Sequence, residues 1–227
     1  DNEYWIDINL KISEKFNIPI VNTSTSGNVE NSVKYTMEYF GLSSKLTEEK
    51  KELPDLKKKE PVDCLLIYPY LEDANWKNEL RSKDNLALGY LTSSARNAGY
   101  TVKIIHAEHN KYSPSDVQKL VEKYSPRMIG ISLTAQRAYP VVKEYVEKIK
   151  SISTAPIYLG GIFPSIAYEL IMKECKGVDA ICLGEGEVFI VDYLNSIIKN
   201  QGDFRNISGI VYRDAQGNIC VNGSKNV

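Results

Sequence analysis

Two glycine turns hold the residues best suited to chemistry in this sequence, Ile157–Ser165 (IYLGGIFPS) and Ile181–Phe189 (ICLGEGEVF). Each is an apolar run of strand length that stops at glycines and restarts as a helix. Glycine lets backbone come close to a ligand, and a helix start offers free N–H groups, so this is the form of a phosphate- or nucleotide-cradling turn. Two such turns on successive β-α units would share one edge of a parallel sheet, the carboxyl edge where open α/β sheets bind ligands. Two other loops are expected there. Tyr68 and Pro69 open a long loop without glycine after the first strand, and Ser132, Leu133 and Thr134 bring two hydroxyls after the third. Gly160, Gly161, Phe163, Pro164 and Ser165 follow the fourth strand; Gly184, Glu185, Gly186 and Glu187 follow the fifth. Serines and threonines also cap helices, and paired glycines also simply turn a chain, so each loop alone has a structural explanation. Four at one edge suit a single planar or nucleotide-bearing ligand that touches them all. No acid, base or nucleophile stands out, because carboxylates at a helix start, such as Glu185 and Glu187, already meet the helix dipole favourably. The chain reads as a binding module.

The elements that must position these loops alternate regularly from residue 62. Strands are predicted at Val62–Tyr68, Thr101–Ile105, Arg127–Leu133, Pro156–Leu159 and Asp179–Leu183. Helices are predicted between them, over 85–97, from Ser113-Pro114, over 138–152, over 165–175 and over 187–199; Val117, Leu120, Val121 and Tyr124 make one apolar stripe. Five strands alternating with helices predict an α/β, doubly wound, Rossmann-like parallel sheet. Gly209–Asp214 and Asn218–Val221 read as a C-terminal β-hairpin. Residues 1–60 read as an N-terminal β-α appendage and linker: a strand at Ile18–Val21, a helix over Val29–Phe40, then the charged run 45–60, expected to be solvated. Residues 61–227 are then the binding domain.

Composition excludes several classes. With 227 residues, 43% hydrophobic and 25% charged, the chain is that of a globular protein with a full core. A net charge of −1 with no basic stripe gives no case for nucleic acid. No apolar run approaches the roughly 20 residues of a membrane span, and no signal peptide opens the chain. Because residue 1 is Asp, the N-terminus is expected to be cut or to begin mid-gene. The four cysteines, Cys64, Cys175, Cys182 and Cys220, are far apart and form no C-x-x-C pair. Buried reduced thiols, and hence a cytoplasmic protein, are expected.

Leu86–Leu91 (LALGYL), Ala98–Val102 (AGYTV), Gly130–Thr134 (GISLT), Leu159–Ser165 (LGGIFPS), Gly184–Glu187 (GEGE) and Gly209–Asp214 (GIVYRD) occur in one order. In that order they resemble the N-terminal cobalamin-binding domain of cobalamin-dependent radical S-adenosylmethionine (SAM) enzymes, over about Val62–Val221. The resemblance implies cobalamin as cofactor, with the corrin on the carboxyl edge and the nucleotide tail descending between strands. It implies cofactor-binding roles for Tyr68, Pro69, Ser132, Leu133, Thr134, Gly160, Gly161, Phe163, Pro164, Gly184, Glu185 and Gly186. Ser132 and Thr134 would meet the tail or corrin amides, Gly160, Gly161 and Phe163 the buried arm, and Gly184, Glu185 and Gly186 the corrin side chains.

Two departures qualify it. The D-x-H-x-x-G motif of other cobalamin domains is missing after the first strand; the two histidines, His106 and His109, follow the second, and each reads as a satisfied loop residue. No protein ligand to cobalt is therefore expected. No C-x-x-x-C-x-x-C motif is present either, so SAM and a 4Fe-4S cluster belong to a partner radical SAM domain, expected to follow in the same gene. Methyl transfer or related radical chemistry is the implied activity. Two alternatives are a docking module of the same fold that has lost cobalamin, and a nucleotide-binding or glycosyl-transferring α/β enzyme. The latter requires G-x-G-x-x-G after the first strand, where the loop has no glycine.

Overall fold

The computed structural model describes residues 51–70 and 86–223. The predicted strand and helix in residues 18–40, and most of the loop after the first strand, lie outside them. Five strands run parallel: β1 (Cys64–Tyr68), β2 (Val102–His106), β3 (Met128–Ser132), β4 (Ile157–Gly160) and β5 (Ala180–Cys182). The hairpin strands β6 (Ile210–Arg213) and β7 (Ile219–Val221) add antiparallel to β5, giving one sheet ordered β2-β1-β3-β4-β5-β6-β7. The expected hairpin therefore extends the sheet. Gly209 permits this: its φ is +77°, and a Cβ there would lie 2.6 Å from the Leu183 carbonyl oxygen.

Alternation along each strand sorts the side chains into two layers. Leu65, Ile67, Ile129, Ile131, Ile157, Leu159 and Ile181 face one side. There they pack with helices α3 (Pro114–Tyr124), α4 (Tyr139–Lys150) and α5 (Ile162–Glu174). Cys64, Leu66, Met128, Tyr158, Ala180 and Cys182 face the other side, under α1 (Leu86–Asn97) and α6 (Gly186–Lys199). A short helix, α2 (Ala107–Asn110), follows β2. Each fully buried Leu or Ile contributes roughly 1.5–3 kcal/mol, so strands apolar on both faces are what this three-layer arrangement requires. The order β2-β1-β3 puts the topological switch point between β1 and β3, at the carboxyl edge where open α/β sheets bind ligands.

Local signals fix the helix starts. Ser113 Oγ accepts from the Asp116 N–H at 3.3 Å, Asp116 Oδ2 accepts from the Ser113 N–H at 3.0 Å, and Pro114 occupies the first turn of α3. α5 begins at Ile162, three residues before the predicted start, because Gly161 already turns the chain and Pro164 fits the first helical turn. The described part of the charged run is mostly exposed, as expected, and is anchored at a few points. Leu53 and Leu56 pack on the core, and the Tyr112 hydroxyl donates to the Glu52 carbonyl at 2.9 Å. The buried Lys123 ammonium donates to the carbonyls of Asp55 and Lys58, each at 2.7 Å, and pairs with Glu60 at 3.2 Å. By its contacts this segment belongs with the unit of residues 50–227.

Candidate functional site

Pairing register builds the carboxyl edge. Ser132 stands opposite Gly160, and one row deeper Gly130 stands opposite Tyr158 and Leu66. The Leu133 N–H donates to the Gly160 carbonyl at 2.8 Å, locking the β3 and β4 loops together. Gly161 has φ +114°, and a Cβ on it would lie 2.7 Å from the Leu133 carbonyl oxygen. Both facts demand glycine. Ser165 Oγ then donates to the Gly161 carbonyl at 3.1 Å. At the β5 turn Gly184 has φ +80°, and Gly186 opens α6 where a Cβ would meet the Leu91 side chain of α1 at 2.7 Å.

The expected site residues divide by layer. Tyr68, Ser132 and Gly160 lie at the edge on the α1/α6 side, all half-buried, with Tyr68 packed against that layer. Leu133 is fully buried on the other side, where Phe163 also packs, its ring centroid 6.0 Å from that of Tyr139. Pro69 and Pro164 are buried, whereas Thr134, Gly161, Gly184 and Glu185 are exposed. The structure thus brings the described starts of the four loops to one edge, and it turns Phe163 and Leu133 toward the α3/α4/α5 layer.

The histidines are tied into local structure. His106 ends β2 opposite Tyr68, with ring centroids 5.0 Å apart, and its Nδ1 accepts from the His109 N–H at 3.0 Å. His109 Nε2 lies 2.6 Å from Lys51 Nζ. Among the described residues no group of three His, Cys, Asp or Glu could hold a metal ion. The Cys182 and Cys64 thiols are equally unsuited to chemistry. Burial, followed by the charges of Glu187 and Glu185, pushes Cys182 up to about 12, and burial with Asp63 pushes Cys64 higher. Both stay protonated.

The functional reading of the sequence overlooked three residues of the α1/α6 layer. The Tyr158 hydroxyl and Thr92 Oγ1 are buried without a hydrogen-bond partner. The Tyr158 ring lies on Gly130, where a Cβ would come within 2.5 Å of it. Burial first, then Cys64, Cys182 and Tyr193, holds the Tyr158 hydroxyl well above its ordinary range, so it is a donor at neutral pH. A glycine isolated within an apolar strand signals close approach of another group, and Gly130 carries that signal in the sequence.

Comparison with known proteins places this fold in a family. Residues 84–194 match the family model of the B12 binding domain. The chain carries a B12-binding domain. It is 30% identical over 155 residues to an uncharacterized methyltransferase of Pyrococcus horikoshii, covering 67% of this chain and 33% of that protein. It is 28% identical over 143 residues to the anaerobic magnesium-protoporphyrin IX monomethyl ester cyclase of Rubrivivax gelatinosus, covering 58% of this chain and 24% of the cyclase. The chain therefore spans a third or less of these relatives. In fold it is similar to the radical SAM methyltransferase TsrM of Kitasatospora setae, solved with cobalamin and an iron–sulfur cluster bound. The TM-score is 0.60 at 17% identity, over 72% of this chain and 29% of TsrM. It is also similar to the cobalamin-dependent radical enzyme OxsB with aqua-cobalamin bound, with TM-score 0.60 at 21% identity, over 74% of this chain and 23% of OxsB. Cobalamin is the cofactor to which this domain type corresponds. The residues present fit such a group: at the edge Gly160 carries no side chain and a Cβ on it would meet only the Tyr158 ring, at 4.0 Å, and beneath it the Tyr158 and Thr92 hydroxyls are buried without partners. β3, β4 and β5, whose ends build that edge, fall within the matched span.

Proposed function

We propose that the chain holds cobalamin on the carboxyl edge of its sheet and presents it to a radical SAM domain for methyl transfer or related radical chemistry. The observation that carries this reading is that the B12-binding match covers the ends of β3, β4 and β5, where three of the four loops converge. Tyr68, Ser132, Thr134, Gly160, Gly161 and Gly184 to Gly186 would hold the cofactor, whereas Leu133 and Phe163 pack in the opposite layer. Bound cobalamin supplies a cobalt centre that carries a methyl group or an electron. The chain's own residues supply shape and polarity. Glycine turns bring main chain close to the ligand.

The need for a partner domain follows from the cysteines. Cys64, Cys175, Cys182 and Cys220 cannot form C-x-x-x-C-x-x-C, so a cluster and SAM require another polypeptide segment. Exposed apolar side chains near the starts of α1, α5 and α6 support contact there: Leu86, Tyr90, Ile162 and Val188, with Ile166 the most exposed at 78%. The same apolar rim favours the second reading, a docking module without cobalamin. Incubation with hydroxocobalamin, desalting and a visible spectrum separate them. A retained corrin spectrum at one per chain is expected; a colourless protein would leave only the docking module. Among the described residues no helix is long and apolar enough to cross a membrane.

A further inference from the structure

We propose that Tyr158 recognises the nucleotide arm of bound cobalamin, donating its hydroxyl hydrogen bond to the arm's base, with Thr92 as a second polar contact. This rests on the cobalamin reading above. Tyr158 is 4% exposed and Thr92 5%, and neither hydroxyl has a partner. Buried hydroxyls are nearly always paired, so two orphans in one layer point to a polar group that arrives with a ligand. The layer leads from the edge to these groups. On the α1/α6 side the edge row of β3 and β4 is Ser132 and Gly160, which carry almost no side chain, and Tyr158 lies one row below.

The ring is held for this task. It lies flat over Gly130, where a Cβ would sit 2.6 Å from the hydroxyl oxygen. Its other edge, Cε2, would be 4.0 Å from a Cβ on Gly160. The rings of Phe189 and Tyr193 flank it at 5.6 and 6.1 Å. The phenol is therefore fixed with its polar tip toward β3 and β1. An arm base not bound to cobalt would carry an unpaired ring nitrogen, which a buried site must meet with a donor. A protonated phenol meets it. The benzimidazole face is also suited to an aromatic layer.

The test compares cobalamin with cobinamide, which has the corrin and no nucleotide arm, by equilibrium dialysis with the 227-residue chain. Tyr158→Phe is expected to weaken cobalamin binding at least tenfold and to leave cobinamide binding unchanged. Its ligand-free Tm should equal or exceed that of the parent chain, because the hydroxyl has no partner to lose. Thr92→Val, which removes the other hydroxyl at constant shape, should give a smaller loss in the same sense and serves if Tyr158→Phe misfolds. Equal cobalamin affinity in both variants and the parent, or an equal loss for both ligands, would overturn the assignment of Tyr158. A parent chain that binds neither ligand would instead overturn the cobalamin reading itself, and this inference with it.

Discussion

Gly160 and Gly161 adjoin in sequence and are constrained by different things. Gly161 is held by backbone: its φ is +114°, and the Leu133 carbonyl oxygen occupies the place of a Cβ. Gly161→Ala should lower thermal stability by about 1–3 kcal/mol whether or not a ligand binds. At Gly160 the nearest atom to a Cβ is the Tyr158 ring at 4.0 Å, an ordinary contact. Gly160→Ala should keep the parent Tm and show its effect in corrin retention. Melting curves and desalting assays on both variants check this, and equal Tm losses would contradict it. Thiol reactivity gives a second check at this scale. With its thiol up at about 12, Cys182 holds only about one part in ten thousand of thiolate at pH 8. Cys64 is held higher still, while Cys220 is half-buried on the outermost strand, β7. One thiol per native chain, Cys220, should react rapidly with a thiol reagent, the others only on unfolding; peptide mapping identifies it. The sequence made the glycines legible as turn residues. What a Cβ would strike depends on register, and the Gly130–Tyr158 pair is separated by a whole β-α unit.

Most elements were readable because their signals are local. Ser113-Pro114 marks the start of α3 by chemistry contained within four residues, and apolar runs of strand length mark β1 to β5. The charged run is mostly exposed, as its Lys and Glu predict, but its anchoring was not readable because the contacts that hold it are distant in sequence. Lys123 supplies those contacts. It lies on α3, buried, and its ammonium satisfies two carbonyls and Glu60 of the preceding segment. Removing it leaves those acceptors unpaired and the 51–60 segment held mainly by Leu53 and Leu56. Lys123→Ala should accelerate tryptic cleavage at Lys57, Lys58 and Lys59 severalfold, while the core strands stay protected. An unchanged cleavage rate would mean that the leucines alone dock the segment.

At the scale of the whole molecule, topology decides which residues can reach a ligand above the switch point. The order β2-β1-β3 puts β2 at the outer end of the sheet, so the loop that carries both histidines opens beside the switch point between β1 and β3. His106 is further committed by accepting the His109 N–H on Nδ1, and His109 meets Lys51. The chain has no other histidine, and the segment after β1 contains none. Cobalamin held on this edge should therefore have no protein imidazole on cobalt, and with its arm seated at Tyr158 it would lack its own base there as well. That arrangement also frees the arm's ring nitrogen for a donor such as Tyr158. The EPR spectrum of the one-electron-reduced, cobalamin-loaded chain tests the point, because an axial nitrogen splits each cobalt line into three. Unsplit lines are expected, and they should be the same in His106→Ala. Triplet splitting that disappears in His106→Ala would assign the ligand to the β2 loop, and splitting that persists would mean that the arm's own base stays on cobalt and leaves the Tyr158 hydroxyl without its acceptor.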